Sequence, residues 1–148
     1  MSSTLKKLRY RSGMRVAVIG APAGFEVELA ANKDVERAQR LEKNLDLVQA
    51  FFTRRAHLER EAARLEKAVA PKGLLWICYP KAKALGTDLN RDVVRTTVAK
   101  WGLEAVAICA VNEVWSALRC KRAGGFDSGR LSMRSVLGPR GRMPPKPG

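Results

Sequence analysis

Residues 45–79 decide the fold. Leu45-Asp46-Leu47-Val48-Gln49-Ala50-Phe51-Phe52 is a short, almost continuous apolar run entered through Asn44 and Asp46. Gly73-Leu74-Leu75-Trp76-Ile77-Cys78-Tyr79 is a second such run, ended by Pro80. Between them, residues 54–69 place Leu58, Ala62, Leu65 and Val69 on one helical stripe, with Arg55 and Glu59 spaced to pair. Pro71 and Gly73 are the expected stop of that helix. Strands without polar–apolar alternation are buried on both faces. A strand–helix–strand unit of that kind therefore belongs to a parallel sheet covered by helices.

The same alternation extends outward. Toward the N-terminus, Met14–Gly20 reads as a buried strand, Ala21-Pro22-Ala23-Gly24 as a turn and Phe25–Ala31 as a short helix. Val35–Leu41 suits either an edge strand or a helix. Toward the C-terminus, the loop Lys81–Thr87 precedes a helix capped by Asp88 or Asn90, with Val94, Val98 and Trp101 facing the core and Gly102 as its stop. Leu103–Val111 is a further strand, Asn112-Glu113 a tight turn, and Val114–Arg122 an antiparallel return with Trp115 packing. The expected architecture is a three-layer, Rossmann-like α/β domain over residues 1–122. Its sheet is mostly parallel, with an antiparallel C-terminal hairpin edge strand. Residues 123–148 are rich in Gly, Pro, Ser and Arg and read as a disordered basic tail, with Leu131–Leu137 as a conceivable short partner-binding helix.

With 148 residues the chain has room for one such core. Lys and Arg number 28 against 14 Asp and Glu, a formal charge of +14. Much of the excess lies at the ends, in Lys6, Lys7, Arg9, Arg11 and Arg15, and in Arg130, Arg134, Arg140, Arg142 and Lys146. Basic termini of this kind suit nucleic-acid phosphates. No run reaches the ~18 apolar residues of a membrane-spanning helix. Cys78, Cys109 and Cys120 are scattered in apolar runs, no CxxC pair occurs and His57 is the only histidine. Buried, reduced thiols, a cytoplasmic location and no metal or cofactor are the resulting expectations. The basic start before Val16–Ala23 superficially mimics an export signal, but the apolar segment is short and continues as a strand pattern.

Several stretches resemble the sheet of class I methyltransferases: Ser12-Gly13-Met14-Arg15-Val16, Asp46-Leu47-Val48, Ala70-Pro71-Lys72-Gly73-Leu74-Leu75-Trp76 and the terminal Arg119-Cys120-Lys121-Arg122. That resemblance implies a glycine-rich first turn against the cofactor and an acid after the second strand holding the ribose hydroxyls. Here the turn is Gly20-Ala21-Pro22-Ala23-Gly24, in which Pro22 lacks an amide donor, and Asp34 and Glu36 are the nearby acids. Residues 5–122 also resemble the bacterial domain-of-unknown-function family 3052. The resemblance rests on Leu5-Lys6-Lys7-Leu8, Gly13-Met14-Arg15-Val16, Gly20-Ala21-Pro22, Gly24-Phe25, Leu75-Trp76, Pro80-Lys81, Thr87-Asp88, Asp92-Val93-Val94-Arg95, Gly102-Leu103, Cys109-Ala110-Val111 and Trp115-Ser116. Ala82 stands where that family usually has a second lysine, and Asn112 stands near its usual aspartate. That resemblance implies a fold and no reaction.

Ligands of such sheets sit outside the carboxyl ends of the strands. There the sequence offers Lys81, Lys83, Thr87 and Asp88, with Asn112 and Glu113 nearby. Two ammonium groups beside a helix start suit a phosphate or carboxylate. The plainer alternative is that Asp88 caps a helix, Thr87 completes the turn and the lysines are solvated. Glu113 would serve as a base only if buried, and no nucleophile, base and orienting partner are spaced for catalysis. Trp76, Trp101 and Trp115 read as core residues. The expected function is a non-catalytic binding or regulatory module for a small anionic ligand or protein partner, with no membrane contact. The alternatives are nucleic-acid association through the basic termini and a methyltransferase-like enzyme.

Overall fold

A computed structural model describes residues 1–123. In chain order the elements are α1 (Ser3–Lys7), β1 (Arg15–Ile19), α2 (Ala23–Ala30), β2 (Glu36–Arg37), β3 (Leu45–Phe51), α3 (Arg55–Ala68) and β4 (Val69–Pro80). A tight 3-10 segment, Lys81–Gly86, leads to α4 (Arg91–Ala99), β5 (Leu103–Ala110) and β6 (Trp115–Arg122). Apart from Ala123, the expected tail and its conceivable helix at Leu131–Leu137 lie outside the described residues.

The six strands form one sheet in the order β2-β1-β3-β4-β6-β5. Strands β2, β1, β3 and β4 are parallel, and β6 is antiparallel to both β4 and β5. The α/β Rossmann-like sheet with its C-terminal antiparallel hairpin is thus present. Within the hairpin β6 is inserted beside β4, and β5 takes the edge. Being antiparallel to β6, β5 points the same way as β4. Its end at Ala110 therefore joins the same rim as the ends of β1, β3 and β4.

Two cores lie on opposite faces because strand order reverses at β1. On one face α3 and α4 bury Leu58, Leu65, Val94 and Val98 against Val48, Ala50, Leu75, Ile77, Leu118 and Cys120. On the other, the α1 segment and α2 bury Leu5, Leu8, Tyr10, Phe25 and Leu29 against Val16, Val18, Leu47, Phe51, Trp76 and Ala117. Leu8 and Trp76 are joined by a 2.9 Å bond from the indole Nε1 to the Leu8 carbonyl. The Tyr10 hydroxyl donates to Gln49 Oε1 at 2.6 Å, and Gln49 Nε2 reaches the Cys78 sulfur at 3.4 Å. Burial pushes the Tyr10 phenol and the Cys78 thiol upward, and holds the Cys120 thiol up at about 12. The three cysteines are free thiols; Cys109, on the edge strand, is half-buried because it has a strand neighbour on one side only.

Some local expectations are corrected. Trp101 is 44% exposed, because α4 ends at Ala99 and the chain turns through Gly102 at φ +77°; Leu103 fills the core instead. Pro71 and Gly73 do not stop α3, whose C-cap is already Val69. They occupy an irregularity in β4, where β3 advances from Leu45 to Leu47 while β4 advances from Val69 to Leu74. A bulge tolerates a proline because no ladder donor is needed there. Glu59 pairs with Lys100, beyond the end of α4, rather than with Arg55. The ambiguous segment at 35–41 forms only the two-residue strand β2.

Candidate functional site at the carboxyl rim of the sheet

The rim is built on three aromatic rings. Phe25 of α2 lies 5.4 Å from Phe51 at the end of β3, and Phe51 lies 5.1 Å from Trp115 at the start of β6. This floor joins the turn after β1 to the hairpin. Gly20 has φ +70°, and a Cβ there would stand 2.9 Å from the Phe51 carbonyl oxygen. Only glycine allows β1 to turn so close to β3. Pro22 is the N-cap of α2, and its carbonyl accepts from the Phe25 and Glu26 amides at 3.0 Å.

Two strands further along the same rim, after β4, lies the Lys81–Gly86 segment. Ala82, Lys83 and Leu85 have φ of +50°, +61° and +58°. L-residues rarely adopt that conformation, and each such residue costs on the order of 1–2 kcal/mol. The surroundings fix both ends of the segment. The Lys81 amide donates to the Val114 carbonyl at 2.7 Å, and Arg54 Nη1 donates to the Gly86 carbonyl at 2.9 Å. Lys83 and the 64%-exposed Leu85 are left facing solvent.

The six residues expected at the site divide into two groups. Thr87 is buried; its hydroxyl donates to the Thr53 carbonyl at 2.5 Å and accepts from the Leu89 amide at 3.0 Å. Asp88 accepts from the Arg55 amide at 2.8 Å and so caps α3, while Asn90 caps its own helix α4 through the Val93 amide. Asn112 Oδ1 accepts from the amides of Val114 and Trp115, both at 2.9 Å, closing the hairpin turn. Thr87, Asp88 and Asn112 thus hold loops together. Lys81, Lys83 and Glu113 remain, and none has an ion pair among the described residues. Glu113 is exposed, which removes the burial a base would need. The Lys81–Val114 bond brings the loop and the hairpin turn together on one rim.

Sequence reasoning missed Arg54, which bridges to Gly86, and the exposed Leu85. It also missed Arg37. This side chain donates from Nη2 to the Val18 carbonyl at 3.1 Å and pairs with Glu26 in the first turn of α2. Its guanidinium takes the position a next strand amide would have filled, and β2 ends there. The pairing holds the Glu26 carboxyl below its ordinary range, chiefly through the hydrogen bond from Arg37.

Rossmann-like sheets of this form are shared with known enzymes. A SAM-dependent methyltransferase from Aquifex aeolicus aligns with a TM-score of 0.52 and 15% identity, over 78% of this chain and 86% of its own. A TehB-like SAM-dependent methyltransferase from Corynebacterium glutamicum gives 0.50 and 10%, over 80% and 85%. Mitomycin 7-O-methyltransferase gives 0.57 and 12%, over 81% of this chain and 53% of its own. No family model and no curated protein matches the chain. The chain therefore has the Rossmann-like fold of class I SAM-dependent methyltransferases.

The residues present do not fit that cofactor in the way the resemblance implies. Pro22 offers no amide at the first turn. Glu36, at the start of β2, is paired with Arg15 at 2.5 Å, and the Arg37–Glu26 pair stands where β2 ends. The exposed Asp34 precedes β2 rather than following it, so of the two acids named for the ribose hydroxyls one is paired and the other lies at the wrong end of the strand. Among the described residues no group of His, Cys, Asp or Glu gathers to hold a metal, and no helix is long and apolar enough to cross a membrane.

Proposed function

We propose that this chain is a binding module built on a methyltransferase-type sheet. It takes a small anionic ligand at the rim between the Gly20–Gly24 turn and the Lys81–Gly86 loop. The observation that carries this reading is the strained loop, in which three non-glycine residues adopt left-handed conformations fixed at both ends. Strain of this kind persists where surrounding structure enforces it, and it concentrates at ligand sites. Lys81 and Lys83 supply charge there, and Leu85 an apolar contact. The family of unknown function resembled by residues 5–122 is the grouping this reading favours.

A second reading, a methyltransferase-derived enzyme, is supported by the likeness of the whole sheet to SAM-dependent methyltransferases. The paired Glu26 and the proline turn weigh against it.

One experiment separates the two. Thermal unfolding is followed with nucleotides, small dicarboxylates or S-adenosylmethionine, for the wild type and for a Lys81→Glu/Lys83→Glu variant. Ligand at about 100 times its Kd stabilises by about 2.7 kcal/mol, a readily measured rise in Tm. A rise with a nucleotide or dicarboxylate, abolished by the double charge reversal, supports the binding module. A rise with S-adenosylmethionine in both proteins supports the enzyme instead. Equal shifts with anions in both proteins, or none at all, would remove the lysine-loop site.

A further inference from the structure

The end of the sheet opposite this rim carries a second feature. Arg9, Arg11 and Lys72 line a cleft of about 390 Å³ at the amino ends of the parallel strands, with Asp46 as its one acid. Asp46 Oδ2 already accepts from the Arg15 amide at 2.9 Å. Beside Arg9, on the same face, stands Arg119 of β6, flanked in the sheet by Trp76 and Ala107. Lys121 follows two residues on, and Lys6 and Lys7 extend the patch from α1.

Three observations set this surface apart from an ordinary solvated one. First, its cations Lys6, Lys7, Arg9, Arg11, Lys72, Arg119 and Lys121 make no ion pair among the described residues, although Asp46 lines the cleft and Glu104 stands opposite Lys121 in the β5–β6 ladder. On the α3–α4 face, Arg64, Lys100, Arg91 and Arg95 pair with Glu61, Glu59 or Asp92, while Arg60 and Lys67 of α3 stand without an ion pair among the described residues and serve below as the control. Second, Nε of Arg119 is buried with no hydrogen-bond partner. Burial, and then the neighbouring Arg9, hold its guanidinium below the ordinary arginine range. A half-buried cation beside a second cation is less favourable than an isolated solvated one, and an anion between them relieves the repulsion. Third, Arg9 occupies a glycine position. Its amide bonds to the Lys6 carbonyl at 2.9 Å and the Tyr10 amide to the Leu5 carbonyl at 3.0 Å, the double bond pattern that closes a helix. That pattern needs a left-handed residue, and Arg9 has φ +69°. Glycine would hold that conformation without strain, but it would supply no cation.

We propose that this face binds the sugar–phosphate backbone of a nucleic acid. Arg9 and Arg119 clasp one phosphate between them, and Arg11, Lys72 and Lys121 follow the strand. Planar guanidinium forks match phosphate oxygens in pairs, and the accessible Nη groups of Arg9 and Arg119 offer them. The site uses folded residues of the domain, and so differs from capture by the termini alone.

The test is fluorescence anisotropy of a labelled single-stranded RNA oligonucleotide with the full chain across a salt series. The variants are Arg9→Gly, Arg119→Gln and their combination. An Arg60→Gln/Lys67→Gln protein removes exposed charge from α3 as a control, and a fifth protein carries Arg130→Gln, Arg134→Gln, Arg140→Gln and Arg142→Gln. The combined variant should bind about tenfold or more weakly, with the salt slope reduced by about 0.7 because the one phosphate the two arginines share is no longer neutralised. Arg9→Gly should weaken binding while leaving Tm at or above that of the wild type, which separates contact from folding. The proposal is overturned if the oligonucleotide does not bind at low salt. It is equally overturned if the Arg9 and Arg119 variants bind like the wild type, or if the control weakens binding as much as they do. Loss of binding only in the glutamine-tail protein would likewise assign the contact elsewhere.

Discussion

Gln49 shows how much one polar side chain can decide. It is fully buried on the central strand β3, and its carbonyl oxygen depends on the Tyr10 hydroxyl. Tyr10→Phe leaves that oxygen without a donor in the core and should lower unfolding stability by about 1–3 kcal/mol. Urea denaturation measures this, and a loss near zero would mean that another donor reaches Gln49. Nothing in the sequence links positions 10 and 49. The apolar run Leu45–Phe52 reads correctly as a buried strand, yet its pattern offers no reason for a glutamine within it. Trp101 illustrates the converse failure. Its spacing from Val94 and Val98 fits a helical stripe, but the helix ends two residues too early for the stripe to reach it.

At the scale of elements, β2 is short because Arg37 takes the Val18 carbonyl and pairs with Glu26. The Glu26 carboxyl is held below its ordinary value of 4.5. A carboxyl depressed in the fold contributes stability above its unfolded value, and that contribution is lost as pH falls through the folded value. Arg37→Gln should therefore destabilise at pH 7 and much less at pH 3. Both partners are more than a third exposed, so screening limits the pair to about 0.5–1 kcal/mol. Parallel urea titrations at the two pH values check the sign, and a penalty that grows toward acid would contradict it. The loop after β4 is the element least legible in sequence. Lysine, alanine and leucine give no signal for left-handed backbone, which here is imposed by contacts from Arg54 and Val114. Asp88 was legible as a cap but not as the cap of α3, a helix that starts 33 residues earlier in the chain.

For the whole molecule, charge is the largest influence that packing leaves unsettled. A formal +14 on 148 residues makes the compact state self-repelling. Raising NaCl from about 20 mM to about 500 mM shortens the Debye length several-fold and should raise Tm by several degrees. A Tm that falls with salt would mean that the ion pairs of the α3–α4 face outweigh the repulsion. The alternation of apolar runs and amphipathic helices was sufficient to specify a parallel sheet between helical layers, because burial on both faces leaves that pattern in any chain. It also fixed which loops share the carboxyl rim, since parallel strands end on one side. Only the tertiary structure decided that β6 enters the sheet beside β4, that Thr87, Asp88 and Asn112 are consumed in holding loops, and that Arg9 and Arg119 meet across 110 positions of chain. Periodicity reports how a residue relates to its own element. The partners of a hydroxyl, a carboxylate or a guanidinium are chosen by residues remote in sequence, and packing alone brings those together.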